Sequence, residues 1–127
     1  MMTSTIVSLG RVEYGGKIYP LQQAFISSLA DLEIVAAPTS GRIVIASIVF
    51  GNSAGVAASV QFDLRSGGAG GTQLLPGQSF QGANNGDAVS RKFDGPILCD
   101  VMQNLVFNVT SGGTAISTFV QYIVADA

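Results

Sequence analysis

Few side chains in this sequence are suited to catalysis. The chain of 127 residues has no histidine, which removes the commonest general base and metal ligand. Its single cysteine, Cys99, follows Ile97 and Leu98, and no histidine is present to stabilise a thiolate. We therefore predict that Cys99 is a small buried hydrophobic residue, that the chain has no catalytic residues, and that the protein is not an enzyme.

Metal and phosphate sites are also poorly represented. Asp31 and Glu33 are two positions apart, which places both carboxylates on one face of a strand, where they would bind a cation weakly or simply be solvated. We favour the solvated strand face. The glycine-rich segment Ser66–Thr72 lacks the Gly-Lys-Ser/Thr ending of a phosphate-binding loop, so it is predicted to connect strands. We expect no metal, no cofactor and no small-molecule substrate.

The charge pattern bears on macromolecular partners. Six basic and eight acidic residues give a net charge of −2, and the one adjacent basic pair, Arg91 and Lys92, is flanked by acidic residues. Nucleic-acid binding needs clustered basic residues, so we expect no nucleic-acid partner. No apolar run approaches the length of a membrane span, and the first residues do not resemble a signal peptide. The lone cysteine fits folding in a reducing compartment.

The elements that would position these residues are predicted to be strands. Apolar and polar residues alternate through Val56–Arg65 and again in 104–110, and the final segment is rich in β-branched and aromatic residues. Segments rich in Gly, Asn, Ser and Pro separate the runs, and "SGGTA" at 111–115 is predicted to be a hairpin loop. Residues 21–33 also fit helical spacing. The pattern predicts an all-β protein, a single-domain antiparallel sandwich or jelly roll.

The segment Gly41–Phe50 is unusual because it is apolar on both strand faces. If "GNSAG" at 51–55 is a five-residue hairpin loop, Val44, Ile48 and Phe50 face the core with the next strand, and the alternate residues face outward. A two-residue loop would exchange the faces. The second face could be covered by a loop of the same chain, by the N-terminal segment or by another subunit. We favour a subunit interface that contains Ile43, Ile45 and Val49.

Longer stretches of the sequence resemble small virion proteins of tailed bacteriophages. The relevant runs are "LEIVAAPTSGRIVIASIVFGNSAGVAASVQFDLRSGG" and "FDGPILCDVMQNLVFNVTSGGTAISTFVQYIVA". The family plan has an "AAPGAGKRIVVLSL" strand, a hairpin, a "VTFRSGG" strand, an "FDGPL" turn, an "NLNLSAGG" strand and a terminal "YVEV" strand. In this sequence the matching pieces are 36–49, 56–68, 93–97, 104–113 and 119–124.

The resemblance implies a β-sandwich that acts as a capsid decoration (cement) protein. It implies a homotrimer that binds the major capsid protein, lies on the capsid surface of the virion and is assembled in the host cytoplasm. The alternative is a small tail, neck or fibre-associated protein with an adaptor, receptor-binding or glycan-binding role. The resemblance begins near Leu32. We therefore assign residues 1–30 to an N-terminal arm or peripheral strands that contact the shell, and residues 31–127 to the sandwich domain.

Overall fold

The computed structural model describes residues 4–8, 10–28, 30–52, 60–68, 70–75, 77–80, 89–111 and 116–127. Within these ranges the regular structure is entirely β-strand. The strands are β1 (Ser4–Ser8), β2 (Arg11–Tyr14), β3 (Lys17–Pro20), β4 (Gln22–Ser28), β5 (Leu32–Val35), β6 (Arg42–Asn52), β7 (Val60–Ser66), β8 (Thr72–Gln73), β9 (Gln78–Phe80), β10 (Val89–Leu98), β11 (Leu105–Ser111) and β12 (Ile116–Ala125).

The strands form three antiparallel sheets, two of which make a sandwich. The first sandwich sheet has the order β10-β6-β12-β4. In the second, of order β5-β11-β7, the short strands β8 and β9 both pair with β7. From β4 onward the chain repeatedly passes from one sheet to the other, as in a jelly roll. The predicted all-β antiparallel sandwich is confirmed. The remaining sheet, β1-β2-β3, is N-terminal.

The core lies between the two sandwich sheets and contains a line of aromatic rings. The ring centroid of Phe50, from the first sheet, lies 4.8 Å from that of Phe62, from the second. Phe107 follows at 5.3 Å from Phe62. Ile48 and Phe50, which were predicted to face the core, are buried here, whereas Val44 belongs to a second buried cluster. The other buried residues of this core include Phe62, Leu64, Leu105, Phe107, Val120 and Tyr122.

A bulge in β6 changes which of its residues face the core. Gln121 of β12 pairs with Ser47, but the next residue, Tyr122, pairs with Ile45, so Ala46 is the extra residue on β6. An extra residue reverses the side-chain alternation of the strand. Ile45 therefore faces the core together with Ile48. The core face of β6 thus contains residues that were predicted to face outward as well as residues that were predicted to face the core.

The predicted hairpins are wrong for the described residues. Strand β6 lies between β10 and β12, whereas β7 belongs to the other sheet, so Val44 is paired with Leu98 and Ile123 instead of Phe62. Likewise β11 and β12 lie in different sheets. Alternation indicates which side of a strand is apolar but does not identify its partner. The predicted partner Val56 and most of both loops, at 53–55 and 112–115, lie outside the described residues.

The N-terminal thirty residues are divided between two sheets. Strands β1, β2 and β3 form the small separate sheet, whereas β4 pairs with β12 in an unbroken register from Ser28↔Ile116 to Gln22↔Tyr122. The segment 21–33, which also fitted helical spacing, thus contains strand β4 and the first two residues of β5. The sandwich begins at Gln22, ahead of the predicted boundary at residue 31.

Candidate assembly surface

The N-terminal sheet covers one half of the outer face of the sheet β10-β6-β12-β4. Val12 and Tyr14 of β2 are buried, and they pack with Val44 of β6 and with Ile123 and Ala125 of β12. This second, smaller core explains one part of the two-sided apolar character of β6. The N-terminal segment, one of the three alternatives for covering the second apolar face of β6, therefore covers this part of it.

Polar contacts join the N-terminal sheet to the rest of the chain. The backbone N–H of Leu21 donates to the carbonyl oxygen of Gly10 at 2.8 Å. At the C-terminal end of the chain, Lys17 donates to the carboxylate of Asp126, and this hydrogen bond raises the pKa of Lys17 and lowers that of Asp126. Both side chains are exposed, so the pair contributes little to stability.

The other half of the outer face carries an apolar row that crosses the sheet. Lys92 of β10 is opposite Val49 of β6, Val49 is opposite Phe119 of β12, and Phe119 is opposite Phe25 of β4. Residues directly opposite each other in a sheet share a face. Val49 and Phe119 are half-buried and Phe25 is 65% exposed. We call Val49, Phe119 and Phe25 the aromatic row, after its two phenylalanines.

Small and uncharged polar residues border the aromatic row. On one side lie Ser47 and Gln121, whose side chains are joined by a 3.0 Å hydrogen bond, with Gln23 opposite Gln121. On the other side Ser117 is opposite Gly51 and Ser27. The result is an apolar centre with uncharged polar residues along two sides and Lys92 at the β10 end, and an apolar centre with a polar border is a feature of protein–protein interfaces.

The structure corrects two of the three predicted interface residues. Ile43 and Ile45 are fully buried in the core between the sheets, because the bulge at Ala46 turns them inward. Their side chains are therefore not available to another subunit. Val49 does face outward, in the aromatic row.

Phe25 and Phe119 are the residues of this surface that the sequence analysis missed. In β4 the central residues Ala24, Phe25 and Ile26 are all apolar, so alternation did not distinguish the outward-facing phenylalanine from its core-facing neighbours. The feature of the sequence that could have indicated them is that β4, like β6, is apolar on both strand faces.

The outer face of the other sheet is occupied by a polar network around Asp63. Asp63 is 3% exposed, and its carboxylate accepts hydrogen bonds from Asn108 at 2.9 Å, Gln73 at 3.1 Å and Arg65 at 3.1 and 3.3 Å. The guanidinium of Arg65 also donates to the carbonyl oxygen of Gly71. These hydrogen bonds satisfy the buried carboxylate and link β7 to β8 and β11.

The two carboxylates considered as a weak cation site have other partners. Asp31 accepts the backbone N–H of Val109 at 2.7 Å, and Glu33 accepts a hydrogen bond from the side chain of Asn104 at 2.8 Å. They therefore stabilise the edge of the sheet where β5 meets β11. Within the described ranges, no three His, Cys, Asp or Glu side chains are grouped as a metal site would need.

Cys99 is buried and its thiol is protonated at neutral pH. Burial raises the pKa of the Cys99 thiol to about 11 from its ordinary value of 9.0. A neutral thiol is a poor nucleophile, so the predicted buried hydrophobic role agrees with the position of this residue. Over the part of the chain that the structure describes, no helix has the length and apolar character needed to cross a membrane.

Comparisons with known proteins give distant structural similarities alone. No protein-family model matches the chain, and no curated protein matches its sequence. A structure of the tobacco streak virus coat protein is 13% identical over 80% of this chain and 85% of that chain, with a TM-score of 0.35. A structure of the same coat protein as a dimer is 13% identical over 83% and 88%, with a TM-score of 0.34. Similarity at this level does not establish a shared role.

Proposed function

We propose that this chain is a non-enzymatic structural protein of a virion, and specifically a decoration protein on the outer surface of a tailed-phage capsid. The sequence resemblance across Leu32–Val124 carries the proposal. Jelly rolls also occur in lectins and cupins, so the fold alone does not select this role. A cupin-type metal centre usually needs histidine, which this sequence lacks.

The position of the resembling segments supports the proposal. The family-like pieces contain or overlap β6, β7, β10, β11 and β12, which are five of the six described sandwich strands with seven or more residues, β4 being the other. In the "FDGPI" piece, a Cβ added to Gly95 would lie 1.9 Å from the carbonyl oxygen of Ile45. This piece therefore has a glycine where the backbones of β10 and β6 approach too closely for a side chain. The family pattern thus coincides with residues on which the fold depends.

The proposed role is mechanical. A decoration protein that binds the major capsid protein at many identical sites adds contacts that must break before the shell opens. If the chain is a trimer, as the resemblance predicts, each contact can be weak, because engagement of several sites raises the effective concentration. The chemistry of the chain suits this role, since it offers apolar surface bordered by uncharged polar groups rather than reactive side chains.

Imaging of the virion tests the location. With the protein labelled on intact particles of the virus that encodes it, we expect density at many positions across the capsid. Density confined to one ring at the tail would instead favour the tail, neck or fibre role. The native mass of the purified protein tests the predicted trimer separately.

The shell contact itself is assigned to the outward face of the N-terminal sheet. Ile18 of β3 is 54% exposed on that face, opposite Glu13, and lies outside the resemblance. We expect Ile18→Asp to fold normally but to stop co-sedimenting with undecorated capsids. Val101→Asp, at a 39% exposed apolar residue after β10, is the matched control and should still bind. If both variants still bind, the shell contact does not lie on this face.

A further inference from the structure

The edges of the sandwich sheets differ in how they are protected against pairing with another chain. An edge strand is normally protected by charges, proline, a bulge or short length. Strand β10 has a register shift and carries Arg91, Lys92, Asp94 and Pro96. Strand β5 has four residues, a register shift and Glu33, and β8 and β9 have two and three residues.

Strand β4 has none of these protections. Its sequence, QQAFISS, contains no charged residue, proline or glycine, and it pairs with β12 over seven residues without a bulge. Among the described strands, β12 is its one partner, so no described strand pairs with the backbone N–H and C=O groups of the opposite edge. Phe25, at the centre of β4, is 65% exposed. The half-buried Ala24 and Ile26 pack against the core at the same edge.

We propose that β4 pairs antiparallel with β4 of a second copy of this chain, about a two-fold axis that passes through Phe25. The strand runs from Gln22 to Ser28 and is centred on Phe25, so this register uses all of it. Pairing would add about six to eight backbone hydrogen bonds and join two four-stranded sheets into one.

The side chains are self-complementary in this register. On the core side, the small Ala24 is opposite the larger Ile26 of the second copy, which closes the open edge of the core. On the outer side, Phe25 meets Phe25 of the second copy, and aromatic pairs are favourable across antiparallel strands. Gln23 is opposite Ser27, and no charge within β4 is brought close to a like charge. The contact uses one surface twice, which distinguishes it from the head-to-tail contact of a closed trimer.

Disulfide trapping with single cysteine variants tests both the contact and its register. Across the axis the two residues at position 25 have Cα atoms about 4.5 to 5.5 Å apart, which a disulfide can span. Two residues at position 27 would be offset by about 13 Å. We expect Phe25→Cys to give a disulfide-linked dimer on mild oxidation, and Gln23→Cys or Ser27→Cys alone to give none. An equal mixture of Gln23→Cys and Ser27→Cys should cross-link again.

The controls use other surfaces of the same protein. Ile18→Cys, at an exposed apolar residue of the N-terminal sheet, measures cross-linking by random collision, and buried Cys99 contributes little background. Phe25→Lys should lower the native mass to that of a smaller species, while Ile18→Lys leaves it unchanged. A wild-type native mass of a monomer or of an isolated trimer would overturn the proposal, because a two-fold contact needs an even number of chains. Equal cross-linking of Phe25→Cys and Ile18→Cys would also overturn it. These outcomes do not depend on whether the protein binds capsids.

Discussion

At the scale of single residues, one unfavourable feature of the core is a buried hydroxyl group. Thr118 faces the core from β12, opposite Phe50 and Ile26, and is fully buried. Its Oγ1 has no hydrogen-bond partner among the described residues. A buried polar group without a partner costs about 1 to 3 kcal/mol, so Thr118 lowers the stability of an otherwise apolar core.

Replacing Thr118 with the isosteric valine should therefore stabilise the protein. We expect Thr118→Val to raise the free energy of unfolding by about 1 kcal/mol, measured by urea denaturation. Thr72→Val is the matched control, because it removes the 2.7 Å hydrogen bond from Thr72 to Asp100, and it should be neutral or destabilising. A loss of stability in Thr118→Val would show that the hydroxyl has a partner in the folded protein.

The buried thiol of Cys99 gives the stability a pH dependence. Above pH 9 the thiol ionises in the unfolded chain, but in the folded protein it stays protonated up to about pH 11. The unfolded state then binds fewer protons, so the free energy of unfolding falls as the pH rises, by at most about 1.4 kcal/mol per pH unit. Between pH 9 and 10.5 we expect a shallower loss in Cys99→Ala than in wild type. Equal slopes would contradict the raised pKa.

At the scale of elements, strand identity was largely predictable and strand pairing was not. Alternation located the core faces of β7 and β11, because polar and apolar side chains differ strongly there. Alternation failed in β6, because an extra apolar residue such as Ala46 cannot be recognised in a strand that is apolar on both faces. The aromatic row was missed for the same reason in β4. Partners were wrong because strands that are adjacent in sequence lie in opposite sheets.

The turn that carries the family resemblance allows a test at this scale. Gly95 lies where β10 shifts register against β6, and an added Cβ would be 1.9 Å from the backbone oxygen of Ile45. We expect Gly95→Ala to lower the free energy of unfolding by about 3 kcal/mol, since the two backbones must separate. Gly77→Ala is the control, because no atom lies within 4 Å of its added Cβ. Similar stabilities of the two variants would show that the β10 and β6 backbones can separate enough to accommodate the added Cβ without a loss of stability.

At the scale of the whole molecule, the N-terminal sheet and the sandwich share a core. Val12, Val44 and Ile123 are all fully buried where the two meet. Removal of residues 1–30 would therefore expose apolar surface and also take away β4. Point variants are the appropriate way to test the N-terminal segment, because deletion would confuse a loss of binding with a loss of folding.

A shared core predicts that the N-terminal sheet and the sandwich unfold together. We expect Val12→Ala to lower the free energy of unfolding by about 1 to 3 kcal/mol, and Ile18→Ala, at an exposed position, to change it little. The far-ultraviolet circular dichroism and tyrosine fluorescence transitions should coincide in both variants. Separate transitions, with the tyrosine signal of the N-terminal sheet lost first, would mean that this sheet unfolds independently.

The position of β12 constrains when the protein can fold during synthesis. The last strand in the sequence lies in the interior of its sheet, between β6 and β4, and its pairing joins Ile116 to Ser28. A nascent chain that still has β12 inside the ribosome cannot join β4 to β6. Until β12 has emerged, β4 is exposed along both edges and is open to strands of neighbouring chains on the same polysome. The first sandwich sheet can therefore be completed only after β12 emerges from the ribosome, and the interval before that is when misassembly between copies is most favoured.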